Sequence, residues 1–193
     1  MDRTLRLSIA SFSFNVAFAA YHLALGTVAS SWWLLTLGSY YLVLSIVRFV
    51  VIRSKSKDRF ITKFTGVMLI ILSVPLAGTV ILSVVRDRGH ELNMIVMIAM
   101  AAYSFTKITL ATIKFVKARR STSAILITLR NISFADAFVS IFALQRSMLV
   151  SFEGMTESEI VIMNALLGSA VCLLVFLLGA TLLKKHSVQE RLP

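Results

Sequence analysis

Apolar positions in this chain come in blocks too long for the stripe of a soluble amphipathic helix and too unbroken for alternating strands. Six blocks stand out, at Ser8–Ala29, Ser31–Ile52, Ile61–Val85, Leu92–Val116, Ala124–Val150 and Ile160–Leu183. Each has the roughly 20 residues that a helix needs to cross the bilayer core. The polar stretches between them are too short to hold a soluble domain. The pattern predicts an all-α, polytopic integral membrane protein, a single six-helix transmembrane domain over residues 1–193. The turn from Gly26 to Ser31 is short enough to fold the first two spans into a tight antiparallel hairpin. The fifth block is the most interrupted, carrying Arg130, Asn131, Asp136, Gln145 and Arg146. Treating it as a loop would leave an odd number of crossings and put the basic tail on the wrong side.

Composition narrows the class further. The chain is 58% hydrophobic and 15% charged, against about a quarter charged in ordinary soluble domains. That excludes a soluble globular fold, a disordered chain and a nucleic-acid-binding domain, so the bilayer and not nucleic acid is the expected partner. A single cysteine excludes a disulfide scaffold and a thiolate metal site. The formal net charge of +11 sits between the apolar blocks, where basic residues set membrane orientation. Arg3 and Arg6, then Arg53, Lys55, Lys57, Arg59 and Lys63, then Lys117, Arg119 and Arg120, then Lys184, Lys185 and Arg191 fall on one face if there are six crossings. The other face offsets Arg86 and Arg88 with Asp87 and Glu91, and adds Glu153, Glu157 and Glu159. Both termini are therefore expected to be cytoplasmic, in a multi-pass protein of the plasma membrane. Asn15, Tyr21 and His22 interrupt the first block, which reads as a retained helix and not a cleaved leader.

An offset of 66 residues places Arg48 on Lys114, Phe49 on Phe115 and Arg53 on Arg119. This would equate the hairpin of spans two and three with that of spans four and five. Aromatic and basic anchors at the end of every inward-going span produce the same matches without an internal repeat, and that reading is preferred.

Polar side chains are costly in hydrocarbon and turn toward the bundle interior, so their helical spacing marks the inward faces. Ser8, Ser11, Asn15 and His22 share a stripe on the first span. Tyr41, Ser45 and Arg48 share one on the second, Tyr103, Lys107 and Lys114 on the fourth, and Ser133, Asp136 and Ser140 on the fifth. Asn164, Gly168 and Cys172 share one on the sixth. The third span has few mid-span polar groups, and Pro75 with Gly78 as a candidate kink; it is expected to be the most lipid-exposed helix. The opposite stripe of the first span is small throughout: Ala10, Ser13, Ala17, Ala20, Ala24 and Thr27. Small residues let helix backbones approach, here against another helix of the chain in the preferred reading, or against a membrane partner or a second copy.

Asp136 is the acid inside a span, and Lys107 is the deepest base. At about 1.5 Å per residue they lie roughly 18 Å and 14 Å from the cytoplasmic ends of their spans. They can pair if spans four and five are neighbours, either to fix helix register or to couple charge to movement. Lys114 reads as snorkelling toward lipid phosphate. Arg48 and Arg130 are slightly deeper and are candidates for a basic cytoplasmic-side pocket. Trp32 and Trp33 read as an interfacial anchor. His22, His90 and His186 are too far apart for a metal cluster, and no phosphate loop, nucleophile elbow or HExxH motif is present. No enzyme activity, cofactor or metal is expected.

The stretches Ser39-Tyr40-Tyr41 with Arg48, Ala102-Tyr103-Ser104-Phe105-Thr106-Lys107 and Ala143-Leu144-Gln145 resemble a family of six-span membrane proteins of Gram-positive bacteria that carries no assigned activity. In gross plan the chain is also similar to the S-components of energy-coupling-factor vitamin transporters, which are small, basic and six-span with both ends inside. That likeness implies docking to a membrane partner through small residues of the first helix, the Ala17, Ala20, Ala24 stripe. The first loop departs from theirs in being very short. The expected function is a small transport-type or solute-binding membrane protein with a polar interior. The alternative is a non-transporting membrane subunit docked through its first helix.

Overall fold

The computed structural model describes residues 3–28, 30–53, 58–85, 94–118, 123–151 and 154–190. Six α-helices follow in order: α1 Arg3–Val28, α2 Trp32–Arg53, α3 Asp58–Val85, α4 Met94–Ala118, α5 Ala124–Ser151 and α6 Glu157–Glu190. Four contain stretches long and apolar enough to cross a membrane: Trp32–Arg53, Phe60–Val85, Ala124–Leu149 and Glu157–Lys184. In α1 the apolar stretch is shorter, Phe12–Val28. The charged turn residues Lys55, Lys57, Arg86, Asp87, Arg88, His90, Glu91, Arg119, Arg120, Glu153 and Arg191 lie outside the described residues. So do the side chains of Arg3, Arg6, Ser8, Ala10, Ser11, Arg59, Lys117, Lys185 and His186.

The radial distribution of polarity is the reverse of a soluble protein's. Phe14, Ile71, Val74, Ile81, Leu166 and Leu173 are exposed, while Asn15, His22, Arg48, Lys107, Lys114 and Asp136 are buried. Such an arrangement suits a molecule whose outer solvent is hydrocarbon. Several apolar helices and an apolar exterior make this an integral membrane protein.

The helix starts and stops follow local chemistry. Between α1 and α2 the chain reverses through Ser30, whose φ is 50°, while Ser31 N–H donates to the Gly26 carbonyl at 3.0 Å. The hairpin that follows is tight because Gly38 has no Cβ: one placed there would lie 3.0 Å from the Leu23 backbone nitrogen. At the head of α6, Thr156 and Glu159 form a capping box. The Thr156 N–H donates to Glu159 Oε2 at 2.8 Å, and the Glu159 N–H donates back to Thr156 Oγ1 at 3.4 Å.

The most extensive helix pairings are α3 with α6, α1 with α2 and α4 with α5. Despite its interruptions, α5 is the hub and touches α2, α3, α4 and α6. The expectation that the third span is the most lipid-exposed is corrected. About 39% of the α3 span is buried, against 22% of the α6 span. The reason is a close approach: a Cβ on Gly66 would lie 3.0 Å from the Gly179 carbonyl oxygen, and one on Gly179 would lie 2.8 Å from that of Gly66. Backbone against backbone, α3 and α6 need no polar glue. The helix runs on through Pro75 and Gly78 without a break.

The small-residue stripe of α1 also lands differently from the preferred reading. Ser13, Ala17, Ala20, Ala24 and Thr27 are exposed, while α1 turns its bulkier Leu23 against Gly38 of α2. Trp33 is a further correction. Trp32 is exposed, but Trp33 is buried and the Arg146 guanidinium lies 4.6 Å from its ring centroid, so Trp33 is an internal cation–π partner and not an interfacial anchor.

Candidate functional site

Where α1, α2, α4 and α5 converge, the chain buries an acid beneath several donors. Asp136, on α5, is fully buried. Its Oδ2 accepts from Lys107 Nζ of α4 at 2.5 Å, from Arg48 NH2 of α2 at 3.1 Å and from Asn15 Nδ2 of α1 at 3.0 Å. Three helices thus hold one carboxylate oxygen, and charge-assisted bonds of this kind are the strong ones. Asp136 Oδ1 has no hydrogen-bond partner.

The network extends outward through hydroxyls. Tyr103 OH donates to Asn15 Oδ1 at 3.1 Å, which fixes the amide so that its NH2 points at Asp136. Tyr41 OH and Ser140 Oγ lie 3.0 Å apart. Ser140 Oγ donates to the Asp136 carbonyl, and Ser104 Oγ donates to the Ser140 carbonyl at 3.0 Å. Lys107 is also flanked by rings, 4.8 Å from the Tyr103 centroid and 5.8 Å from that of Tyr41. Phe18 stacks on Tyr103 at 3.7 Å.

One pattern orders the α4–α5 seam. Ser104 meets Ser140, Lys107 meets Asp136, and Lys114 Nζ donates to Ser133 Oγ at 3.0 Å. The stripe Tyr103, Lys107, Lys114 therefore faces the stripe Ser133, Asp136, Ser140 as an antiparallel ladder. Lys114 is buried on this ladder and does not snorkel, contrary to the sequence expectation. It lies seven residues, two turns, beyond Lys107. That spacing already placed it on the inward face; its nearness to the helix end made it look like an anchor.

Among the sequence-predicted residues, the structure joins Asn15, Tyr41, Arg48, Tyr103, Lys107, Asp136 and Ser140 in one network. Ser45 is buried beside it and donates to the Tyr41 carbonyl within its own helix at 2.7 Å. His22 is buried nearby, its ring tilted against Phe18 with centroids 4.1 Å apart. Its Nδ1 lies 2.9 Å from the Phe18 carbonyl oxygen, which assigns the proton to Nδ1 and leaves Nε2 as a buried acceptor without a partner. Asn164 is buried on α6 but does not reach the network. The proposed pairing of Arg48 with Arg130 in a basic pocket is not formed. Arg48 turns inward onto Asp136, while Arg130 leans across the Phe115 ring, 5.5 Å from its centroid. Phe18 and Ser104 are the participants that sequence reasoning missed; neither carries a signal that distinguishes it from an ordinary packing residue.

Among the described residues the node encloses three bases, Arg48, Lys107 and Lys114, against a single acid. Beside it, α1 and α4 meet only sparsely and leave a groove of about 510 Å³ whose lining includes Phe14, Phe18, Tyr103 and Lys107. No group of three His, Cys, Asp or Glu side chains that could hold a metal occurs among the described residues. The arrangement suits electrostatic binding and exchange of donors. Against known proteins, the chain matches no family model, no curated protein and no solved structure, so the chemistry of the node is read from its own side chains.

Proposed function

We propose that this protein is a small solute carrier or solute-binding protein of the plasma membrane, crossing six times with both termini in the cytoplasm, and that the Asp136 node is its working centre. The observation that carries this reading is the burial of Arg48, Lys107 and Asp136 together at the junction of four helices. Buried intramembrane charge is expensive and marks solute or ion pathways. Packing alone does not require it. Since Arg48, Lys107 and Asn15 all bond the same oxygen of Asp136, one donor can leave while the others hold the acid. That exchange is a discrete two-state element, and a carrier needs such an element to tie binding to movement. Lys107 is the donor that leaves, and the buried Nε2 of His22 is a second acceptor that responds to the rearrangement.

The test is reconstitution. The purified chain in liposomes on a solid-supported membrane should give transient currents when a panel of small organic ions is jumped across it. Lys107→Met should abolish them while the protein still folds. A chain that moves no charge, and that is recovered from native membranes in fixed stoichiometry with a second protein, sinks the carrier reading. The subunit reading would then stand. It has an observation in its favour: Ser13, Ala17, Ala20 and Ala24 are exposed along α1.

A further inference from the structure

The groove between α1 and α4 differs in one respect from a second groove on the molecule. Both are apolar and of similar size, about 510 Å³ and 540 Å³. The second lies between α3 and α6, lined by Ser73, Val74, Val80, Ser169, Cys172 and Phe176 among others, with no charged side chain. The first has Lys107 in its lining. Such volumes fall in the range of small-ligand sites, about 300–1,000 Å³.

Three features describe what the α1–α4 groove would accept. Its walls are Phe14, Phe18 and Tyr21 on one side and Ala99, Ala102 and Leu110 on the other. From Ala99 to Leu110 it follows α4 for about 16 Å at 1.5 Å per residue, the shape of a single extended hydrocarbon chain. Lys107 belongs to its lining; the ammonium has three donors and gives one to Asp136. Arg48 and Lys114 bring the buried bases around Asp136 to three, against that one acid among the described residues. An interior with that imbalance favours an anion over a cation. Arg48 and Asn15 continue to hold Asp136 if Lys107 turns toward the groove.

We propose that the groove between α1 and α4 admits a single-chain carboxylate amphiphile, a fatty-acid-type molecule, laterally from the surrounding lipid, and that the Lys107 ammonium binds its carboxylate. The proposal rests on the solute-binding reading above and gives it a substrate class and a path of access. Tyr103, stacked on Phe18 and bonded to Asn15, lines the groove beside Lys107. The bound head group competes with Asp136 for Lys107.

The full chain in nanodiscs of phosphatidylcholine tests this with two photoreactive probes, a diazirine-bearing dodecanoic acid and the matching dodecanol. The acid should label the segments Phe14–Tyr21 and Ala99–Leu110 about tenfold more than the alcohol does, the size of one charge-assisted hydrogen bond. The α3–α6 groove should show no such preference. Lys107→Gln should remove the preference for the acid. Ala102→Trp fills the groove from an exposed position, leaves the Asp136 network in place and should abolish labelling by both probes. Equal labelling by acid and alcohol, labelling unchanged in Ala102→Trp, or displacement by phosphatidylglycerol but not by laurate would overturn the proposal. If head-group selectivity is absent while Lys107→Met still silences currents, the node reading stands and the groove falls. If the acid binds as expected but no solute evokes a current, the groove stands and the carrier reading falls.

Discussion

The α4–α5 seam and the α3–α6 seam are both antiparallel helix pairs, and they are held by opposite means. Along α3–α6 the contact is apolar and close, with Gly66 and Gly179 presenting bare backbone to each other and Cys172 Sγ lying 3.3 Å from the Ser73 carbonyl oxygen. Along α4–α5 the contact is a ladder of hydroxyls, ammoniums and a carboxylate. The first seam demonstrates that this chain joins two long helices without any charge. Charge in the second is placed where a third and a fourth helix, α1 and α2, also reach it. That difference is the basis for the proposal that Asp136 is the working centre and Gly66–Gly179 the scaffold.

The comparison breaks most easily at Asp136. Asp136→Asn leaves Lys107 and Arg48 facing each other without an anion, and unpaired buried charge costs roughly 3–5 kcal/mol in soluble proteins, less where the unfolded state in the membrane finds other partners. Lys107→Met should cost clearly less, because Arg48 and Asn15 still bond the carboxylate. The double variant should regain only part of the Asp136→Asn loss, since Arg48 stays unneutralised by Asp136. Thermal unfolding in detergent measures all three. Equal single losses with complete rescue would show that Arg48 does not share the acid, and the node would reduce to a simple pair.

The apolar seam breaks by crowding. Gly179→Leu places a side chain where even a Cβ would lie 2.8 Å from the Gly66 carbonyl oxygen. Overpacking of this kind costs about 1–3 kcal/mol. Melting temperature should fall, while the protein that remains folded should keep any Lys107-dependent current. Loss of current at unchanged stability would mean that α3–α6 also moves during function, and the division into scaffold and site would fail.

The smallest effect calibrates the other two. Thr156→Ala removes one half of the α6 capping box and should cost about 1 kcal/mol, within the usual range for a lost N-cap. It touches neither seam, so the same melts should show a small, isolated loss. A drop as large as that of Asp136→Asn would indicate that the first turn of α6 carries tertiary contacts beyond its cap.

The sequence by itself determined the helices and which side of most of them turns inward. Hydropathy over about 20 residues and spacing at three and four are local properties, and they survive whatever the neighbours are. They also made Lys107 and Asp136 a plausible pair, because a short loop between two spans fixes both adjacency and approximate depth. Only the tertiary structure decided the rest. Asn15 and Asp136 are 121 positions apart, and Arg48 and Asp136 are 88 apart. A stripe specifies an angle about its own helix axis and says nothing about which helix will stand opposite. The same gap explains the errors. Arg48, Lys114 and Arg130 look alike near span ends, yet two turn inward and one lies over Phe115, because a long flexible side chain goes where its neighbours leave an acceptor. Small residues carry even less local information. Ala17, Ala20 and Ala24 of α1 face outward while Gly66 and Gly179 make the tight contact, and a missing side chain becomes a packing site only when another backbone arrives to use the space.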